Sequence, residues 1–361
     1  WALQARQPLL NRERDANKRQ LELSADMAEF EWAEAQQSLM LRTAQRYFDV
    51  LLAAETLRVL ERQQLAVERA WVEAKDRFRL GDVPITDTHE AAARAEAVRA
   101  QVLAAQTQLQ LAQAALADMT GLVAPELNTL ARQGDVNGEA KGGALPPAPA
   151  LAEWLAEAKT RNPKLRAQLV GADVATQEAA KYDALASATL DVVAEVAQDR
   201  LSGSGDYGDA SNRQNNALIG LQLTVPLYSG GFRGARQTEA QRLAEKAVTE
   251  ADRGAQQIAL QTRAAWLGLT VGAGRVAALD EALKASLARL DATHVGRKAG
   301  DRTTLELLGA ENDAAAAELA LLQARITLLL DRLRLAALAG RLDETQLTQV
   351  NSTLASPAAP R

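Results

Sequence analysis

The 361-residue chain has no cysteine, which excludes both a disulfide framework and a thiolate metal site and leaves the redox compartment open. Histidine is nearly absent. His89 and His294 are the only two, neither stands in an HxxxH or HExxH setting, and both read as solvated helix residues, so no metal or cofactor is expected. Aromatic residues make up 4% of the chain against 47% for all hydrophobic types, a poor supply for a compact enzyme core. A Gly-rich phosphate loop, a nucleophile elbow and a metal-spaced cluster are all missing, and an enzyme is not expected. No apolar run approaches the roughly 20 residues of a membrane helix, which excludes a helical membrane protein. Positive charge is not in excess either: the net charge is −5, Lys and Arg are scattered, and nucleic acid is not an expected partner. No secretory signal is visible, but the chain opens inside a strand-like pattern, so that observation carries little.

What is present is Ala, Leu, Gln, Glu and Arg, the composition of long helices and coiled coils. The chain also repeats itself. Pro8 and Pro226 are 218 residues apart, and the same offset matches Leu3 with Leu221 and Gln4 with Gln222. After a one-residue adjustment at Gly230-Gly231, Thr43 meets Thr262, Tyr47 meets Trp266, Gly81-Asp82 meets Gly300-Asp301, and Gly121 meets Gly340. This ordered set predicts two structural repeats.

In the second repeat, Leu190, Val192, Ala194 and Val196 alternate with Asp191, Glu195 and Ala197, and Ile219, Leu221, Leu223 and Val225 alternate with Gly220, Gln222 and Thr224. Between them, "GSGDYGDASNRQNN" reads as a polar loop. The pattern predicts a β-hairpin with one apolar face, which suits either a soluble hairpin or a lipid-facing strand pair. From Arg233 to about Lys298 no proline occurs, which predicts a helix about 100 Å long at ~1.5 Å per residue, with a twin over about 12–79. Gly81 and Gly300 suit left-handed caps. Shorter helices then return with heptad seams, Val102, Ala105, Leu109, Ala112, Leu116 and Met119 in one, Leu319, Leu322, Ile326, Leu329, Leu333 and Ala336 in the other. Leu321, Ala324, Leu328 and Leu335 add a second stripe, so the later helix should pack on two sides.

The segments "QQSLMLRTAQRYFDVL", "RFRLGDVPITDTHEA", "TRNPKLRA", "GLQLTVPLYSGG" and "AGDRTTLELLGAEND" resemble the TolC-type outer-membrane channel family, and the resemblance covers essentially the whole chain. It implies a mainly α fold with transmembrane β: a homotrimeric 12-strand outer-membrane β-barrel continuous with a long periplasmic α-helical coiled-coil tunnel, two structural repeats per chain. Residues 1–145 are then the first repeat, with a final barrel strand at about 1–10, a tunnel helix at about 12–79, a return helix at about 85–120 and an equatorial connection at about 122–145. Residues 146–361 are the second, with helices at about 149–183, a barrel hairpin at about 188–228, a tunnel helix at about 233–298, a return helix at about 303–339 and a tail. A further helix, a first strand and a signal peptide are implied before Trp1.

The resemblance also assigns a gate. Arg302 in "GDRTT" matches the family's restraining arginine, with Thr86 and Asp87 of "PITD" as acceptors on a neighbouring helix. A second link falls on Arg297 and Asp76, where an opposite-charge pair replaces the family's Tyr and Gln and predicts a salt bridge. Glu306 lands on the first position of an acidic constriction ring. The second position is Gly309, a departure that weakens the expected ring. The tips at Leu80, Gly81, Asp82 and Val83, and at Gly300, Asp301 and Thr303, would dock a periplasmic adaptor (membrane fusion protein) that connects to an inner-membrane transporter. The implied function is the passive outer-membrane exit of a tripartite exporter, most simply type I secretion of a protein such as a toxin. A multidrug or metal efflux outlet is one alternative, and a soluble coiled-coil scaffold is another.

Overall fold

A computed structural model describes residues 1–122, 129–130, 150–184, 187–206, 208–352 and 354–355. It is mostly helical and divides into two compact units, Trp1–Glu34 with Pro163–Gln257, and Ala35–Asn162 with Ile258–Arg361. Two long helices, α1 (Arg12–Leu80) and α5 (Phe232–Ala299), contribute to both units.

The first unit carries a three-stranded antiparallel sheet in the order β1 (Ala2–Leu10), β3 (Thr189–Gly205), β4 (Gly208–Thr224). Its register sorts the side chains, because residues directly opposite share a face. One face stacks the rungs Leu190–Leu223, Val192–Leu221, Ala194–Ile219 and Val196–Ala217, and β1 adds Ala5 and Leu3 to the last two. The other face holds the charged and amide residues Arg6, Asp191, Gln222, Gln4, Glu195 and Asn216, with Val193 and Leu218 among them. Neither face is covered within the chain on β4, where Ile219 is 78% and Leu221 69% exposed. Most of the polar stretch expected as a loop is instead strand, residues 203–205 ending β3 and 208–216 opening β4. Pairing runs unbroken from Thr189–Thr224 to Gly205–Gly208, because a backbone ladder continues whether or not its side chains are apolar. Pro8 lies on the edge strand β1, where its missing N–H costs least, next to a register shift between Pro8 and Leu10.

Strands pass into long helices in two ways. After β1, Asn11 alone makes the corner, its Oδ1 accepting from the Arg14 N–H at 3.0 Å as a helix N-cap. After β4 the corner is longer, and Gly230 and Gly231 take φ +59° and +81°, a region costly for residues with a Cβ. Helix α4 (Pro163–Ala184) lines the same unit, with Leu165, Ala172 and Ala179 buried and the Arg166 guanidinium 4.6 Å from the Phe30 ring centre.

In the second unit, α2 (Ile85–Thr120) buries Val102, Ala105, Ala112 and Leu116, a single stripe. Helix α6 (Thr304–Leu338) buries Ile326, Leu329, Leu333 and Ala336 as well as Leu321, Ala324 and Leu335, and so is packed on two sides. Phe48 and Leu51 of α1 enter the α6 cluster together with Val350 of the short helix α7 (Glu344–Asn351). Closer to the tip, Val67, Ala70 and Ala74 of α1 meet Ala91, Ala95 and Val98 of α2. Small side chains let the two backbones approach. A further helix, α3 (Leu151–Arg161), ends at Asn162, whose side chain donates to the Leu338 carbonyl at 3.0 Å. Residues 123–128 and 131–149, where the expected equatorial connection falls, lie outside the described residues. The short strands β2 (Thr129–Leu130) and β5 (Leu354–Ala355) pair with each other.

Candidate functional site

The two helical tips of the second unit are built alike. At the end of α1, Gly81 takes φ +83°, its N–H donates to Phe78 O at 2.9 Å, and Asp82 N–H reaches Arg77 O at 2.9 Å. At the end of α5, Gly300 takes φ +85°, with Gly300 N–H to Arg297 O at 3.1 Å and Asp301 N–H to Gly296 O at 2.9 Å. Each is a Schellman closure, in which a positive-φ glycine satisfies the last carbonyls of a helix. The returning helices start differently. Pro84 precedes α2 without a side-chain cap, while Thr303 and Glu306 form a complete capping box on α6. Leu80 is 74% and Leu305 54% exposed, leaving an apolar tip surface among charged neighbours.

Arg302 and Glu306, read from the sequence as parts of two different devices, are brought together. Arg302 Nη1 donates to Glu306 Oε1 at 2.8 Å, and Glu306 Oε2 also accepts from the Thr303 backbone N–H at 2.7 Å and the Thr303 hydroxyl at 3.1 Å. These contacts, the backbone donor first and then Arg302, hold the Glu306 carboxyl below its ordinary value. Gly296 makes room for the arginine stem, since a Cβ there would lie 2.8 Å from Arg302 Cγ. Within the chain Asp87 is not paired with Arg302; the Thr86 hydroxyl lies 3.5 Å from Asp87 Oδ1.

The charge pair expected between Arg297 and Asp76 is displaced by one turn. Arg297 pairs with Glu73, and Asp76 receives Arg79 at 3.1 Å. Positions 73 and 76 are one turn apart on α1, so spacing alone does not choose between them. Arg297 is only 11% exposed, and its Nη1 is buried with no hydrogen-bond partner among the described residues. Gly309 faces open space. One turn further on, Asp313 is paired with Arg289 of α5.

One cluster carried no motif in the sequence. Glu318 of α6 accepts from Arg58 Nη2 at 2.9 Å and from Arg62, and Arg58 Nε also reaches Glu55 Oε2 at 2.7 Å. Burial alone would raise the Glu318 carboxyl, but the two arginines more than offset it and hold it below its ordinary value. Next to it, Gln63 Nε2 donates to Asn312 Oδ1 at 3.3 Å. Together these contacts clasp α6 to α1. The i,i+4 spacing of Arg58 and Arg62 was visible, but their partner lies 256 residues away from Arg62.

The sheet's apolar face and the matched helical tips are both carried by a chain whose relatives are known. The chain belongs to the outer membrane efflux protein family, whose profile matches residues 1–122 and 154–341. It is similar to the outer membrane protein TolC of Salmonella enteritidis, 28% identical over 342 residues that cover 93% of this chain and 68% of that protein. It is also similar to the proteases secretion protein PrtF of Dickeya chrysanthemi, 27% identical over 350 residues, with 96% and 74% covered. The crystal structure of the outer membrane protein VceC from Vibrio cholerae shares the fold at a TM-score of 0.77 and 16% identity, over 94% of this chain and 79% of that one. The protein is therefore an outer-membrane channel component that extends into the periplasm, and not an enzyme. The soluble-scaffold alternative does not survive this membership.

Proposed function

We propose that three copies of this chain close a 12-strand β-barrel in the outer membrane, continuous with a periplasmic α-helical tunnel, and that the duct is the passive exit of a tripartite export machine. The observation that carries this reading is the two-faced sheet. Its apolar face is exposed along β4 and its other face carries the charged residues Arg6, Asp191 and Glu195, as a barrel with lipid outside and water inside requires. Closure would also pair the outer edges of β1 and β4, which a lone chain leaves open. Protein cargo in type I secretion is favoured by the similarity to a proteases secretion protein. The family's own description, an efflux protein, supports a multidrug or metal outlet as the second reading.

In this assembly the tips at Leu80–Val83 and at Gly300, Asp301 and Thr303 dock a periplasmic adaptor, which joins the duct to an inner-membrane transporter. The gate is closed by Arg302 turning from Glu306 to Asp87 and Thr86 of a neighbouring helix, and by Arg297, whose unused Nη1 can take a further acceptor beside Asp76. Such links are charge-assisted yet breakable at a wet surface. Glu306 supplies the constriction ring, with its charge shared between ring and latch.

Single-channel conductance in planar bilayers tests the gate. Arg302→Ala and Asp87→Ala should each raise it; wild-type conductance in both variants would remove these residues from the latch. A chromosomal deletion distinguishes the cargo readings. Loss of a secreted protein with unchanged drug and metal tolerance supports type I secretion, and the reverse supports efflux.

A further inference from the structure

We propose that Arg200 and Arg213 form a binding site for the phosphates of an outer-leaflet lipid, on the lipid-facing side of the sheet just beyond its apolar band. The inference rests on reading the sheet as a sector of a lipid-embedded barrel. Arg200 and Arg213 are directly opposite each other on β3 and β4. Two like charges at that spacing, with Cβ atoms about 5 Å apart, are mutually destabilising unless an anion sits between them. Both side chains are exposed, and neither has an ion pair or hydrogen bond among the described residues.

The register fixes which face and which height. Arg200 and Arg213 continue the apolar face, because their positions are an even number of residues from Leu190 and Leu223. Between the arginines and the apolar rungs is one amide rung, where Gln198 Nε2 donates to Asn215 Oδ1 at 2.8 Å and the Trp1 indole N–H donates to Gln198 Oε1 at 3.1 Å. Outward along the strands the order is thus aliphatic, then indole with amides, then paired guanidinium. That is the order of hydrocarbon, interface and charged headgroup across a leaflet. The eight steps from Leu190 to Gln198 span about 27 Å along the strand, or ~20 Å of height at a 40° tilt, and exposed Leu227 and Tyr228 prolong the apolar surface at the other end. The arginine rung is then at headgroup level. A lipid is favoured over a free anion because the same face continues into the apolar rungs, so one molecule can place its phosphate on the arginines and its acyl chains along the band.

The test uses the assembled channel in phosphatidylcholine nanodiscs, titrated with bis-phosphorylated lipid A, with lipid A stripped of phosphate, and with inorganic phosphate as a competitor. Wild type should prefer the phosphorylated lipid. Arg200→Gln with Arg213→Gln should weaken that binding about thirty-fold, each arginine near a charged surface contributing roughly a factor of five. The Arg200→Lys, Arg213→Lys variant should retain most of it. Conductance in phosphatidylcholine bilayers should be that of wild type in both variants. Equal lipid A affinity in wild type and the glutamine variant, with conductance intact, overturns the site and leaves the barrel reading standing. Competition by inorganic phosphate at the same concentration as lipid A overturns the lipid as occupant. Failure of wild type to insert at all overturns the barrel reading, and the site with it.

Discussion

Replacing Glu318 with Gln removes one charge from the clasp between α1 and α6 while keeping its size. In the wild type Glu318 is 23% exposed and accepts from Arg58 and Arg62, which are 36% and 55% exposed. A hydrogen bond to a charged group contributes roughly 1.5–3 kcal/mol when shielded, and an exposed ion pair about 0.5 kcal/mol. The Arg58 arm therefore deserves the lower end of the first range and the Arg62 arm the second, which sum to about 2 kcal/mol, a factor of about 30 in a local opening equilibrium. The assay is hydrogen exchange of the α6 amides around Asn312 to Leu322 in the assembled channel. At pH 7 the variant should exchange about thirty-fold faster. The pH dependence has a definite sign. A carboxyl held below its ordinary value of 4.5 in the folded state gives its full contribution above that value and loses it as pH falls through the folded-state value. Wild-type protection should therefore decline towards the variant's on acidification, after correction for intrinsic exchange, while the variant's stays level. Rates within a factor of two at pH 7, or an unchanged acid decline in the variant, would refute the clasp.

Further outcomes follow from the same geometry. Glu73→Gln should leave the mostly buried Arg297 guanidinium uncompensated, at a cost of about 2 kcal/mol, and Arg297→Met in that background should recover most of it in thermal unfolding. Gly268→Ala would place a Cβ 2.9 Å from the Asp331 carboxyl carbon, between α5 and α6, and should destabilise their pairing by roughly 1–3 kcal/mol, read by exchange on both helices. Gly300→Ala meets no neighbour and differs only in its positive φ, so it should lower stability by about 1 kcal/mol without altering neighbouring packing. Gly296→Ala should push the flexible Arg302 side chain away from Glu306 and shift conductance more than stability.

Patterns set by the backbone's own periods were legible in the sequence. The two-residue alternation placed Leu221 and Leu223 on one face, the heptads of α6 gave Ile326, Leu329 and Leu333, and the glycines at 81 and 300 marked helix ends. Pairing details were less legible. Residues 202–205 and 208–216 carry no apolar alternation to mark them, yet the ladder runs through them. The choice of Glu73 over Asp76 by Arg297 depends on the rotation of α5 against α1, and Glu318 meets Arg58 and Arg62 only after the chain has turned back, which no local spacing records.

The two strand-to-helix corners differ in slack. Asn11 hands β1 directly to α1 as a capped, single-residue joint, so a twist of that helix must be felt by the strand. The Gly230-Gly231 corner can absorb a swing of α5 in soft dihedrals while β4 stays put. In mechanical terms the joint after β1 is a clamp and the one after β4 a pivot, so strain applied to the start of α1 reaches its strand whereas strain applied to the start of α5 is spent in the corner.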